Sequence, residues 1–520
     1  MKTSLVWGGV CWCVLLLAFG MTVYRARTQT IAHDEALEYE WYLEGGVAHV
    51  LDYNPTNHVL FTLLAKPIVW TGGISEFTLR APSVLGTGIY LIASYLLCRR
   101  LFGEGILLLL SVALLCLNPQ VLDFMPAARG YILGLAGLAV AMYAMARAAE
   151  RGDLNPERRE WRWGCMIASV ALALSVAANF TNAVPAACLA LTFSAESMRG
   201  FGAPFQWRDS KVRCLANYFL LPGATTGFCI LWPYLIQARP AHFYAGLGKA
   251  SDALRDVLTA SLLYKWTDDI YAAGLGAVPS PPGSWQERLT VIGIYLLMPL
   301  LFCIVTAGVI LAWRAVDGPE SKEHMHCRVF GGAALASVIL IVTLHIVARA
   351  RYPSSRLSLF LIPLFTVGGI LAGREIYSRF PLPYLKTIGV LFAAIVVLDY
   401  ALALQVTSFR YNAYDVISRE LYQVIANDAH RRGLANVRVG GSWWYEPEIN
   451  FYRRRYKANW MMEYEIKDKT YSWQTPTPLA PADYDYFLFT PAGDPGLKET
   501  QIKTIFQDGA RGITVVAIAK

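Results

Sequence analysis

Cysteine is missing from the whole C-terminal part of the chain: its ten cysteines all lie at or before Cys327. A disulfide-stapled domain beyond that point is therefore excluded, and no Cys/His spacing elsewhere suits a structural zinc site. Charge is scarce as well. Only 16% of the 520 residues are Asp, Glu, Lys or Arg, against 55% hydrophobic, and the mean hydropathy of +0.38 lies above that of soluble globular chains. No internal repeat or low-complexity tract is present, and the pair Gly440 and Gly441 is too slight a signal for a nucleotide site. The net charge of +8 calls for no nucleic-acid partner, because loop arginines that set membrane topology and meet anionic lipid account for much of it.

Long apolar runs are what the chain has in abundance. The run from Leu5 to Tyr24 is about twenty residues, the length that roughly 30 Å of hydrocarbon requires. A cleaved signal peptide is the alternative, but equally apolar segments follow and the small-residue pattern of a cleavage site is poor, which favours an uncleaved first span. Further spans are expected over 77–97, 105–117, 130–146, 163–178, 181–194, 215–236, 291–313, 329–347, 357–372 and 388–406, about eleven in all. The stretch from Val59 to Trp70 is short and contains Lys66 and Pro67, so it reads as a helix lying in the interface.

Lys and Arg in the short connections set the orientation. With the N-terminus in the cytoplasm, the inside loops collect Arg99 and Arg100, the group from Arg147 to Arg162, that from Arg199 to Arg213, that from Arg314 to Arg328, and Arg374 to Lys386. The loop with Asp34 and Glu35 then lies outside, with the segment 237–288 and everything after about Phe409. The expected fold class is a polytopic α-helical membrane domain over 1–408 and a small soluble extracytoplasmic α/β domain over 409–520. In that tail, 415–432 has helical spacing, "NVRVGG", "DYDYFLFT" and "GITVVAIAK" read as strands, and "WWYEPEINFYRRRY" reads as a half-buried amphipathic helix.

Ionisable groups beside apolar spans are costly and tend to mark function. Four clusters fall on the outer side: "HDE" (His33 to Glu35), "YNPTNHVLFTLLAK" with Asn57, His58 and Lys66, "PAARGYILG" with Arg129 and Tyr131, and "HIVARARYPSSRLSLFLIPLF" with His345, Arg349, Arg351 and Arg356. Each has a bland role, as solvated carboxylates, a structural histidine, or arginines snorkelling to headgroups. External arginines nevertheless run against the topology bias and need a bound anion or carboxylate partners. Together the clusters suit one reaction, in which a carboxylate accepts the proton of an attacking hydroxyl while arginines stabilise a phosphate leaving group. Asp268 and Asp269, in "YKWTDDIYAAG", are weak candidates to join Asp34 around a divalent cation, and an ordinary helix-start or solvated role is the stronger reading. "NFT" at Asn179 fits a glycosylation acceptor but sits too close to the membrane.

The order of "DEA", "NHVLFTLL", "SEFTLRAPSVLGTGIYLIASYLLCRRLFG", "ARGYILG" and, late in the chain, "RLSLFLIPLF" resembles the GT-C superfamily of membrane glycosyltransferases. It is similar above all to bacterial relatives of the dolichyl-phosphate-mannose protein mannosyltransferases and to the aminoarabinose lipid A transferases. The resemblance covers most of the first 150 residues and a block over 350–365. It implies inverting transfer of a hexosyl or pentosyl group from a polyprenyl-phosphate-linked donor to an acceptor hydroxyl of protein, lipid or glycan, on the outer side of the cell inner membrane. By position it makes Asp34 the general base and Glu35 the neighbour that orients acceptor or donor. Arg129, Tyr131, Arg349, Arg351 and Arg356 become the groups for the lipid phosphate, with His58 and Lys66 lining the same cavity. It names no certain cofactor and leaves a divalent cation open, because relatives differ in metal use. Two departures put sugar and acceptor in doubt: Asn57-His58-Val59 stands where relatives often read His-Pro-Pro, and Gly130 where Pro is common. The competing classes are a transporter or flippase of lipid-linked sugar and a non-catalytic glycan-assembly scaffold. Against transport, ionisable residues are nearly absent from the span centres, Asp399 excepted, and the halves show no matching interrupted helices.

Overall fold

In the computed structural model the described residues are 2–51, 56–148, 158–199, 210–237, 246–264, 271–272, 276–277, 283–315, 321–407, 417–464, 484–489, 502–508 and 513–518. The first apolar run forms α1 (Lys2–Thr28), followed by α2 (His33–Glu38), which continues as a π turn over Tyr39–Leu43. Then come α3 (Val59–Gly72) and α4 (Glu76–Phe102). Ser75 caps α4 by accepting the Thr78 N–H, and Gly103, at φ 68, ends it in a backbone conformation that suits glycine. After α5 (Ile106–Cys116), Asn118 caps α6 (Pro119–Phe124), which has its proline at the first position.

The helical part continues with α7 (Tyr131–Ala148), α8 (Arg159–Ala178), α9 (Ala183–Ser197), α10 (Ser210–Leu215), α11 (Leu221–Leu235) and α12 (Ala250–Ala260). A short antiparallel pair, β1 (Tyr271–Ala272) with β2 (Gly276–Ala277), precedes α13 (Trp285–Ile292), α14 (Met298–Arg314), α15 (Ser321–His326), α16 (Gly332–Ala348), α17 (Leu361–Arg379) and α18 (Pro383–Leu402). Single π turns fuse α10 to α11, α13 to α14 and α15 to α16 into longer helices.

Among the described residues, 8 helices are long and apolar enough to cross a membrane. Large apolar side chains such as Ile346, Val347 and Leu391 stand exposed on them, as lipid-facing surface requires. The chain is thus a polytopic helical membrane protein. Three expected spans fall on elements outside those 8. α5 has 11 residues and α9 has 15, which at ~1.5 Å per residue is too short to cross the hydrocarbon unaided. α17, of 19 residues, carries Arg374, Glu375 and Arg379 towards its end.

The close crossing of α7 on α8 rests on glycines at helical spacing. A Cβ at Gly130 would lie 1.9 Å from the Ala178 carbonyl oxygen, and one at Gly137 would lie 2.7 Å from that of Ala171. This is the small-residue seam by which membrane helices bring backbones together.

The C-terminal residues form α19 (Ser418–Arg431), α20 (Glu446–Arg455) and a sheet of β3 (Val439–Gly441), β4 (Tyr486–Phe489), β5 (Ile502–Asp508) and β6 (Ile513–Ile518), in the spatial order β3-β4-β6-β5. Only the β3–β4 pair is parallel. The strands alternate: Tyr486, Leu488, Val515 and Ala517 face a core shared with α19 and α20, whereas Phe487, Val516 and Ile518 pack with Tyr484 on the other face. The "WWYEPEINFYRRRY" stretch is helical over α20 and buried from Pro447 to Tyr452. The strand "IKTIFQD" was not expected. The core under the sheet is continuous with Ile31, Ala36, Tyr39, Phe61 and Ala128, so it reaches the polar end of the membrane part.

Candidate active site

α2 carries the "HDE" cluster, and its first turn decides which carboxylate is available. Glu35 closes the turn by accepting the Ala32 N–H on Oε2 at 3.0 Å. Arg80, buried on α4, forks onto the same carboxylate with Nε at 2.9 Å from Oε1 and Nη2 at 2.5 Å from Oε2. The Ala128 N–H donates to Oε1 at 2.5 Å. Glu35 is therefore saturated with donors. These contacts fasten the start of α2 to α4 and to the segment before α7.

Three residues on from Glu35, and four from Asp34, Glu38 is fully buried. Its Oε1 accepts from Thr62 Oγ1 at 2.7 Å and its Oε2 from Arg129 Nη1 at 3.1 Å. The same Nη1 donates to the Asp34 backbone carbonyl at 3.1 Å. Burial pushes the Glu38 carboxyl from 4.5 up to about 7, against the lowering pull of Arg129 and the Thr62 hydrogen bond. Arg129 is itself buried, so it does not snorkel to headgroups, and its Nε has no hydrogen-bond partner among the described residues.

Asp34 differs from both neighbours. Its carboxylate is about 25% exposed and takes an ion pair from Arg356, which lies in the short turn Ser355–Ser358 just before α17. That turn is held in place from α6, where Gln120 Nε2 donates to the Ser355 carbonyl at 2.7 Å. Ser355 stands at φ 43, in the left-handed region, immediately before Arg356.

His58 lies below this group as the residue that opens α3. Its Nδ1–H donates to the Ala178 carbonyl at 2.8 Å, and its ring meets Tyr131 edge-on, with centroids 4.7 Å apart. Burial first, and Arg129 second, lower its pKa from 6.5 to about 3, so it stays neutral. Tyr131 is buried between His58 and Phe124.

Other expected members lie elsewhere. Lys66, two turns down α3, donates to the Gly45 carbonyl and, at 3.0 Å, to that of Gly46, so it secures the loop after α2 and does not join His58. Arg349, the left-handed residue that ends α16, is exposed with no ion-pair partner among the described residues. Arg351 is exposed too and, among the described residues, donates to the Gly246 carbonyl alone, at 3.5 Å. His345 stacks on Tyr352 and bonds the Ala350 carbonyl, away from Asp34. Asp268 and Asp269 lie outside the described residues, and no group of three His, Cys, Asp or Glu side chains suited to a metal occurs among those described.

The structure thus joins Asp34, Arg356, Arg129, Tyr131 and His58 and adds Glu38, Thr62 and Arg80, which sequence reasoning missed. Helical spacing from Asp34 was the available signal for Glu38. For Arg80 it was a charge inside an otherwise apolar segment.

A polytopic helical membrane protein with an acid and arginine cluster at one end of its bundle is the class that fold and site define. Sequence comparison finds no matching family model and no matching curated protein. Solved structures do match. ArnT from Cupriavidus metallidurans bound to undecaprenyl phosphate is 12% identical, with a TM-score of 0.43, over 99% of this chain and 97% of that one. The Archaeoglobus fulgidus oligosaccharyltransferase tethered to an acceptor peptide is 15% identical, with a TM-score of 0.45, over 87% of this chain and 63% of that one.

Proposed function

We propose that this chain is an inverting glycosyltransferase that moves a hexosyl or pentosyl group from a polyprenyl-phosphate donor to an acceptor hydroxyl. One observation carries the reading: of three neighbouring carboxylates, Glu35 and Glu38 are buried and engaged, while Asp34 is part-exposed and bears a displaceable arginine. The acceptor hydroxyl attacks the anomeric carbon and gives its proton to Asp34. The bond from that carbon to the phosphate oxygen breaks, the oxygen keeps the electron pair, and polyprenyl phosphate leaves. Arg356 exchanges Asp34 for the phosphate as the donor enters, which uncovers the base and places a cation where charge develops. A single displacement inverts the anomeric centre. Arg129 does not touch substrate here; it holds the Asp34 backbone, and the exposed Arg349 and Arg351 meet lipid headgroups beside the donor. On this reading the site and the domain over 409–520 face the extracytoplasmic side of the inner membrane, and the acceptor is a protein, lipid or glycan.

Radiolabel transfer from a panel of polyprenyl-phosphate sugars in proteoliposomes tests this. Asp34→Asn is expected to reduce turnover by about 10²- to 10⁴-fold at unchanged donor binding, the range for loss of a general base. Equal turnover removes Asp34 from the chemistry. Donor crossing the bilayer without product favours the flippase reading.

A further inference from the structure

The segment that leads into Asp34 is held from its own bundle, where Arg80 donates to the Gln29 and Thr30 carbonyls at 2.8 and 2.7 Å, and also from the C-terminal module. At Ile31, three residues before Asp34, both backbone groups are captured by side chains from the far end of the sequence. The Ile31 N–H donates to the Tyr452 hydroxyl at 3.0 Å, and the Ile31 carbonyl accepts from Ser418 Oγ at 3.0 Å. Tyr452 is on α20 and Ser418 opens α19, and both are buried. The Tyr452 hydroxyl donates a hydrogen bond to Glu76 Oε1 at 3.2 Å, and Arg419 donates to the same oxygen at 2.6 Å. Arg455 pairs with the other oxygen of Glu76, at the start of α4. Two residues on from Ile31, His33 stacks on Trp444 with centroids 4.2 Å apart, and its Nδ1 hydrogen-bonds the Trp444 carbonyl at 2.6 Å.

A peptide fixed at N–H and C=O, followed by a ring fixed by stacking, leaves the next residue little freedom. That residue is Asp34. We infer that the C-terminal module is a working part of the active site, its Tyr452 and Ser418 serving as positioning residues that set the Asp34 carboxylate through Ile31. The inference rests on the transferase reading for its consequence in turnover. A carboxylate displaced by about 1 Å loses rate without losing donor affinity, because proton transfer depends on reach and the lipid phosphate is bound by other groups.

The experiment uses the full chain in proteoliposomes with Tyr452→Phe, which keeps the ring, Ser418→Ala, Ser418→Thr, and Arg431→Ala as a control on the exposed end of α19. Tyr452→Phe and Ser418→Ala are each expected to lower kcat roughly tenfold with donor KM unchanged, Ser418→Thr to restore most of it, and Arg431→Ala to leave it unaltered. Unchanged kcat in both clamp variants overturns the inference, as does a kcat that falls only in step with the folded fraction. Amide hydrogen exchange over residues 31–34 separates the clamp from the transferase reading. Faster exchange in both variants supports the clamp even if the wild type transfers no sugar, a result that would sink the transferase reading alone. Exchange at the wild-type rate overturns the clamp whatever the activity.

Discussion

Asp34 and Arg356 meet across 322 positions of sequence, and their side chains remain 25% and 23% exposed. Water reaches and partly screens such a pair, which limits what it contributes to folding. On the transferase reading the guanidinium exchanges Asp34 for the donor, whose phosphate presents more acceptor oxygens to its fork than one carboxylate does.

Arg356→Gln should therefore separate binding from folding. A lost charge-assisted contact weakens binding of polyprenyl phosphate about 10- to 100-fold, while the melting temperature in detergent stays near that of the wild type. Retained donor affinity in this variant would assign the phosphate to other cations, Arg349 and Arg351 being the first to try.

Glu38 and His58 share one buried network yet titrate with opposite effect. Glu38, raised from 4.5 to about 7, contributes stability that is fully present below pH 4.5 and lost as pH rises through about 7. His58, lowered from 6.5 to about 3, contributes stability that is present above pH 6.5 and lost as pH falls through about 3. Their slopes cancel between pH 4.5 and 6.5. Glu38→Gln is expected to unmask a rise in stability with pH across that window, and His58→Gln a fall, each of up to about 3 kcal/mol. Melting curves of the two variants at closely spaced pH values check the signs, and parallel slopes would break the assignment.

How far the site was legible depended on whether a residue broke a rule visible in one dimension. Arg129 stood out as a cation in an outer connection, and the cluster around Arg356 did so for the same reason; of these, Arg129 and Arg356 lie beside Asp34. Glu38 broke no such rule, since "EALEYEWYLEGG" offers several acids that look alike until the fold buries one of them. Lys66 looked like a partner of His58 because they share a short helix, but two turns of separation put it against the Gly45 and Gly46 carbonyls. The helical bundle followed from apolar runs, except where α5 and α9 are too short to be spans by length alone. The clamp on Ile31 was beyond reach, because it joins residues 421 and 387 positions apart through backbone groups that every sequence has.

Glu35 and Arg80 form a buried pair, and removing one partner strands the other charge. Arg80→Met or Glu35→Ala is expected to lower stability by about 3–5 kcal/mol, far more than Asp34→Asn, whose side chain is part-exposed. Thermal unfolding of the purified variants decides the matter. A Glu35→Gln protein that melts like the wild type but transfers no sugar would return Glu35 to the chemistry.

At Gly130 the structure gives a reason for a residue without a side chain. A Cβ there would meet the Ala178 carbonyl oxygen at 1.9 Å and His58 Cβ at 2.9 Å, and the first of these is backbone that cannot swing aside. At Gly134 the first clash is instead with Asn182 Nδ2, the end of a side chain, at 2.3 Å, and at Gly248 nothing lies within 4 Å. The expected order of damage is Gly130→Ala above Gly134→Ala above Gly248→Ala, with the first costing roughly 1–3 kcal/mol or more by overpacking and the last within about 0.5 kcal/mol of zero. Because the displaced carbonyl is the one that accepts His58 Nδ1, Gly130→Ala should also loosen His58 and let its pKa climb towards 6.5. A titration that finds His58 as hard to protonate in this variant as in the wild type would show that the seam between α7 and α8 can open without disturbing the ring.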